Sequence, residues 1–169
     1  MPRVPTVRQI SWLATIPQFL ALATAVAIGW LATQSADGLL WGSAVYLVYS
    51  FGSRMLIPRA HRRGVRLSQS GQFEEAIHAH QQSYEFFTRH AWLDRFRSLT
   101  MMSPSALSFR EMALLNIAFA YSQIGNGPMA KASYQRALQE FPDSGIASSA
   151  LKMIASAEGS GFDTKNARP

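Results

Sequence analysis

The chain has 169 residues, 48% of them hydrophobic and none of them cysteine, which excludes disulfides, thiolate metal sites and cysteine nucleophiles. Its net charge of +6 suggests nucleic acid at first sight, but Arg3, Arg8, Arg54, Arg59, Arg62, Arg63 and Arg66 set against Asp37 account for all of it. Residues 67–169 hold nine basic and nine acidic side chains, so that region needs no basic binding face and nucleic acid is not the expected partner.

From Gln9 to Ala36 nothing is ionisable, and after Asp37 the stretch Gly38 to Ser53 is again uncharged. Two membrane spans are predicted, at about residues 10–31 and 39–57, forming a hairpin over residues 1–58. Pro17 lies in the first third of the first span and predicts a kink there, while Pro58 ends or bends the second. The connecting loop, residues 32–38, has no Lys or Arg, and both outer flanks are rich in Arg, so the positive-inside bias puts both termini in the cytoplasm of a bacterial-type inner membrane. Trp12, Trp30 and Trp41 stand where aromatic anchors belong. A cleaved signal peptide and a buried hairpin of a soluble protein are the competing readings. Ala21, Ala25 and Gly29 recur every four residues and form a small-residue stripe for membrane helix packing, either within the hairpin or against a partner span.

The part after the hairpin is read as two related helical pairs. In the earlier one Gly64 and Leu67 lie on a first helix, Gly71 breaks the chain, and Ala76, His80 and Ser83 lie on a second. In the later one Leu114, Ile117, Ala118 and Tyr121 precede a break at Gly125, followed by Ala130, Tyr134, Ala137 and Leu138 and closed by Pro142. Small residues at 64, 76, 118, 130 and 137 let antiparallel helices approach closely. Between the pairs an insertion at about 88–104 carries Trp92, Phe96 and Leu99 at helical spacing, interleaved with Arg89, Arg95 and Arg97. Three readings of it stay open: closing the module's own core, docking a partner, or lying in the membrane interface. Asp143 and Ser144 offer an N-cap for a last helix through about Ala157, and residues 158–169 are expected to form a disordered tail.

The order large, large, small, aromatic, then Ala, aromatic, Ala and Pro resembles a tetratricopeptide repeat, most clearly in the later pair. The earlier pair departs from it at His80 and Ser83. Gly71 and Gly125 are 54 residues apart, whereas adjacent repeats of that family are about 34 apart. The resemblance implies an all-α fold: a transmembrane hairpin, then a repeat module over residues 59–157 with a capping helix. It also implies a partner-binding groove lined by His61, Val65, Ser68 and Gln69 and by Met112, Leu115, Asn116, Phe119, Ser122 and Gln123. Two repeats leave an open edge, and a protein partner is expected to cover it.

A catalytic constellation is not apparent. His78 and His80 are two apart and point to opposite sides of a helix, and His61 and His90 have no ligand-spaced neighbour. Ser149-Ala150-Leu151-Lys152 matches a short acyl-enzyme string without its companion motifs. No catalytic, cofactor or metal residue is therefore assigned. The expected function is a non-catalytic, membrane-tethered adaptor or accessory subunit. The alternatives are a homo-oligomeric structural protein and an accessory to an enzyme or transporter whose chemistry lies in a partner.

Overall fold

A computed structural model describes residues 12–166, and the regular elements among them are all helices. After a single 3-10 turn at Trp12–Thr15 come α1 (Ile16–Thr33), α2 (Asp37–Leu56), α3 (Arg59–Gln69), α4 (Phe73–Arg89), α5 (Ala91–Arg95), α6 (Arg97–Thr100), α7 (Phe109–Gln123), α8 (Gly127–Glu140) and α9 (Gly145–Asn166). The helices form two compact units. One takes the described residues up to Arg59 with Phe86–Phe109, the other Ala60–Glu85 with the described residues from Arg110 onward.

In the first unit α1 and α2 pack side by side, joined by a short turn in which Gln34 takes a left-handed φ of 50° and donates its N–H to Trp30 O. Pro17 does not kink α1. It sits in the helix's first turn, where its missing N–H leaves no intrahelical bond unmade, so it starts the helix instead of bending it. The first helix accordingly begins at Ile16, later than the sequence suggested, and the span's first residues, Ile10 and the arginines before it, lie outside the described residues.

The packing is carried by small residues. A Cβ on Gly42 would stand 2.7 Å from the Val26 Cα and run into the Ala25 carbonyl, and one on Gly29 would strike the Gly38 carbonyl oxygen. Ala21, Ala25 and Gly29 are all half-buried on this inner face, so the stripe is used within the pair. α2 in turn buries Gly38, Gly42, Ser50 and Ser53, and it turns Leu40, Trp41, Val48 and Phe51 outward. The usual amphipathic order is inverted, with small and hydroxyl groups inside and large apolar groups outside. Of 22 large hydrophobic side chains exposed among the described residues, 16 belong to α1 and α2, so the apolar surface is concentrated on this pair. Among the described residues one helix, α1, is long and apolar enough throughout to cross a membrane.

The insertion belongs to the same unit. α6 packs on α1, and the Tyr49 hydroxyl of α2 donates to the Leu99 carbonyl at 3.0 Å. Its inner side is closed by Phe87 stacked on Phe109 at 4.8 Å between ring centres and by the buried Met101 and Met102.

The second unit is helical and repeat-like. α3 and α7 end in the same turn: Gly71 and Gly125 take φ values of +79° and +75°, the next residue's N–H bonds back to Leu67 O or Tyr121 O, and each glycine N–H bonds to Ser68 O or Ser122 O. An L side chain in this conformation would be strained, which is why a glycine ends both helices. Ala76, Ala118, Ala130 and Ala137 are fully buried where helices cross, and Tyr134 is buried beside them. Ile77, Ile117 and Ala120 form a core joining α4 to α7, flanked by Phe73 and Tyr121. In α9 the Ser144 hydroxyl accepts from Ala147 N–H, as an N-cap should. That helix runs on to Asn166, beyond the end at Ala157 expected from sequence. No proline interrupts it between Pro142 and Pro169, so backbone bonds propagate through a stretch that composition alone marked as a tail.

Candidate functional site

The residues that the repeat pattern assigns to a groove lie on α3 and α7 of the second unit. They divide by depth. Gln69, Ser122 and Gln123 are exposed, whereas Val65, Ser68, Met112, Asn116 and Phe119 are half-buried, and Leu115 is buried. Phe119 meets the Phe73 ring edge-on at 6.2 Å, and the Ser122 hydroxyl turns back to donate to the Phe119 carbonyl at 2.6 Å. Leu115 therefore serves the core, and the accessible members of the set are the polar Gln69, Ser122 and Gln123.

His61 also faces inward. Its ring lies 5.7 Å from that of His80, edge to face, and His80 is fully buried against Gly64. Burial pushes the His61 imidazole down to about 4. Burial, and then the neighbouring His61, pushes His80 to about 3, with the Gly64 backbone pulling the other way. Both rings are neutral packing groups near neutral pH. His78, by contrast, is exposed, so the two histidines of α4 do lie on opposite sides of the helix.

A cluster that sequence reasoning missed gathers around Glu140 at the end of α8. Tyr84 O–H donates to Glu140 Oε1 at 2.6 Å, Arg110 bonds Oε2 at 2.6 Å, and Arg136 Nε bonds Oε1 at 3.1 Å. Arg136 also stands 4.5 Å from the Tyr84 ring centre, and Arg110 lies near the rings of Tyr84 and Phe141. Burial works against the charge of Glu140, but hydrogen bonds from Tyr84 and Arg136 and the charges of both arginines outweigh it and hold the carboxyl below its ordinary range. Only the pair Arg136 and Glu140, four apart on a helix, was visible in the sequence. The cluster ties α4, α7 and α8 together at the end away from the glycine turns.

In the first unit the candidate contact residues of the insertion are outward. Trp92 is 59% and Phe96 53% exposed, and the Arg95 guanidinium stands 5.9 Å from the Phe96 ring centre. Arg97 has a different role. It donates to the carbonyls of Asp94, Ser105 and Ala106, while the Asp94 carboxylate accepts the Phe109 N–H at 2.8 Å, so the two anchor the loop that follows α6. No family model, no curated protein and no solved structure matches the chain.

Proposed function

We propose that this chain is a membrane-anchored helical adaptor that binds another protein and performs no chemistry itself. The observation that carries the reading is the inverted surface of α1 and α2. In water, so large a contiguous apolar surface is a severe liability, whereas in a bilayer it is the normal outer face of a span. α2 falls short of α1 in mean hydropathy because its glycines and serines dilute the composition, yet Gly38 and Gly42 lie against α1, Ser50 and Ser53 are buried, and the large side chains it turns outward are apolar. At roughly 1.5 Å per residue the two helices reach about 27 and 30 Å, which matches a hydrocarbon core. We therefore read both as spans of a bacterial-type inner membrane, with the arginines at 54–66 keeping the second unit cytoplasmic.

The second unit is read as two tetratricopeptide-like pairs, supported by the repeated glycine turn and the buried small residues at equivalent places. Such pairs bury their faces by stacking, and the exposed polar ledge of Gln69, Ser122 and Gln123, with the half-buried Phe119, is the surface we assign to a partner. The test is purification of the tagged full chain in mild detergent, with Ser122→Arg/Gln123→Arg as the control variant and alkaline carbonate extraction alongside. One stoichiometric heterologous protein, lost from the variant, with the chain retained in membranes, is the expected result. Self-association alone would replace the adaptor by a homo-oligomer, and release of the chain by carbonate would remove the membrane reading.

A further inference from the structure

We propose that α5 and α6 form a lipid-contacting foot, lying at the headgroup–hydrocarbon boundary of the bilayer that holds α1 and α2; this rests on the membrane reading above. The decisive geometry is the hydrogen bond from Tyr49 to the Leu99 carbonyl, reinforced by the packing of α6 on α1. Tyr49 lies about two turns, or roughly 10 Å, before the end of α2 at Leu56. At that level α2 displays Leu47, Val48 and Phe51 outward. α6 is in direct contact with α2 there and so stands at the same level as those outward side chains. If α2 spans lipid, the foot stands just inside its boundary.

The composition of the foot suits that depth. Trp92, Phe96 and Leu99 present an exposed apolar surface, and large amphipathic aromatics favour the interface over either bulk phase. Exposed Arg54, Arg59, Arg89 and Arg95 in the same unit supply cations within side-chain reach of lipid phosphates. The backbone is prepared as well. Irregular chain at membrane depth must satisfy its own polar groups, and here Arg97 binds three carbonyls while the Thr100 hydroxyl reaches those of Leu93 and Phe96. The occupant of this face is thus lipid, in preference to a soluble protein or a second copy.

The experiment uses two single-tryptophan forms of the full chain in vesicles of phosphatidylcholine and phosphatidylglycerol. One keeps Trp92 with Trp12→Phe, Trp30→Phe and Trp41→Phe; the other replaces all four tryptophans by Phe and carries Leu47→Trp. The expected result is blue-shifted Trp92 emission that loses much of its intensity to lipids brominated near the top of the acyl chain and little to aqueous iodide. Quenching of Trp92 by iodide and not by brominated lipid, with the Leu47→Trp form quenched by lipid, overturns the foot and leaves the spans. Protection of Trp92 from both quenchers, again with the Leu47→Trp form quenched by lipid, assigns the face to protein and also overturns it. Insensitivity of both forms to brominated lipid removes the spans and the foot together.

Discussion

A Cβ placed on Gly64 would stand 2.6 Å from Cε1 of His80 and under 3 Å from both ring nitrogens, so the glycine of α3 and the imidazole of α4 occupy complementary space. His80 is wholly buried, so its ring can yield only by displacing the side chains packed around it. Gly64→Ala would gain up to about 1 kcal/mol of helix propensity in open space. Overpacking against a fixed ring costs about 1–3 kcal/mol and wins. The variant should be less stable than the parent, and adding His80→Ala should restore part of the loss, a coupling that denaturant titration of helical circular dichroism in detergent would read. Strict additivity of the two changes would refute the steric account.

Acid should loosen the same place. The folded values of His61 and His80, about 4 and about 3, lie below the ordinary imidazole value of about 6.5, so below that pH the unfolded chain binds more protons than the folded one. The contribution is complete above pH ~6.5 and is lost progressively as pH falls toward the folded values. At about 1.4 kcal/mol per pH unit and per group, several kcal/mol are at stake. Unfolding midpoints measured from pH 7.5 to 4.5 should fall steeply in the parent and less in His80→Leu. Equal midpoints across that range would contradict the buried, neutral pair.

How much of this was written in the sequence varies by element. The breaks at Gly71 and Gly125 were legible because a left-handed helix end is a local demand that glycine meets and other residues meet poorly. The inward stripe of Ala21, Ala25 and Gly29 was also legible, though not its partner, since periodicity marks a face and does not say what covers it. Pro17 was misread because a proline's effect depends on whether the helix has already begun, and helix starts are poorly marked where capping residues are lacking. His61 and Leu115 were expected on the groove surface and instead lie inward, because a repeat pattern predicts average orientation and not the depth at which one side chain settles. Of the Glu140 cluster only the Arg136–Glu140 spacing carries a local signal; Tyr84 and Glu140 are 56 residues apart, and no local pattern links them.

Within the α1–α2 pair, two glycines of one helix make opposite predictions. Gly42 lies against the Ala25 and Val26 backbone, whereas a Cβ on Gly52 would meet nothing within 4 Å. Gly42→Val should force the helices apart and lower the thermal midpoint of the full chain in detergent by several degrees, as expected for about 1–3 kcal/mol of overpacking. Gly52→Val should leave it nearly unchanged. Similar midpoints for the two variants would mean that the close approach at Gly42 does not hold the pair together.

The proposed binding ledge needs a gentler probe than its most conspicuous residue. Phe119→Glu would remove the half-buried aromatic ring of the surface, but it would also break the edge-on contact with Phe73, which packs on the Ile77 and Ile117 core, and set a charge against that ring. Loss of partner capture in that variant should therefore come with a stability loss of about 2 kcal/mol or more. Ser122→Arg/Gln123→Arg, both exposed, should lose capture with an unfolding curve like the parent's. If the exposed pair leaves capture intact while Phe119→Glu abolishes it, the latter acts through folding and the ledge is not the contact.

The Glu140 cluster makes the last prediction, because its carboxylate serves three donors from three helices. Tyr84→Phe removes one hydrogen bond, for a loss of about 1 kcal/mol. Glu140→Gln removes the charge that both arginines face, and should cost more, about 1.5–3 kcal/mol, since charge-assisted bonds are the stronger ones. The two variants share a bond, so the double variant should lose less than the sum, leaving a coupling of about 0.5–1.5 kcal/mol in a double-mutant cycle. The carboxyl is held below its ordinary range, so its contribution is whole above that range and vanishes as pH falls through the lowered value. That window lies below the one in which the imidazoles begin to lose their contribution. A cycle run at pH 7 and again at pH 5.5 should therefore return the same coupling while overall stability declines with the histidines; a coupling that vanished by pH 5.5 would mean that Glu140 is not held ionised by its neighbours.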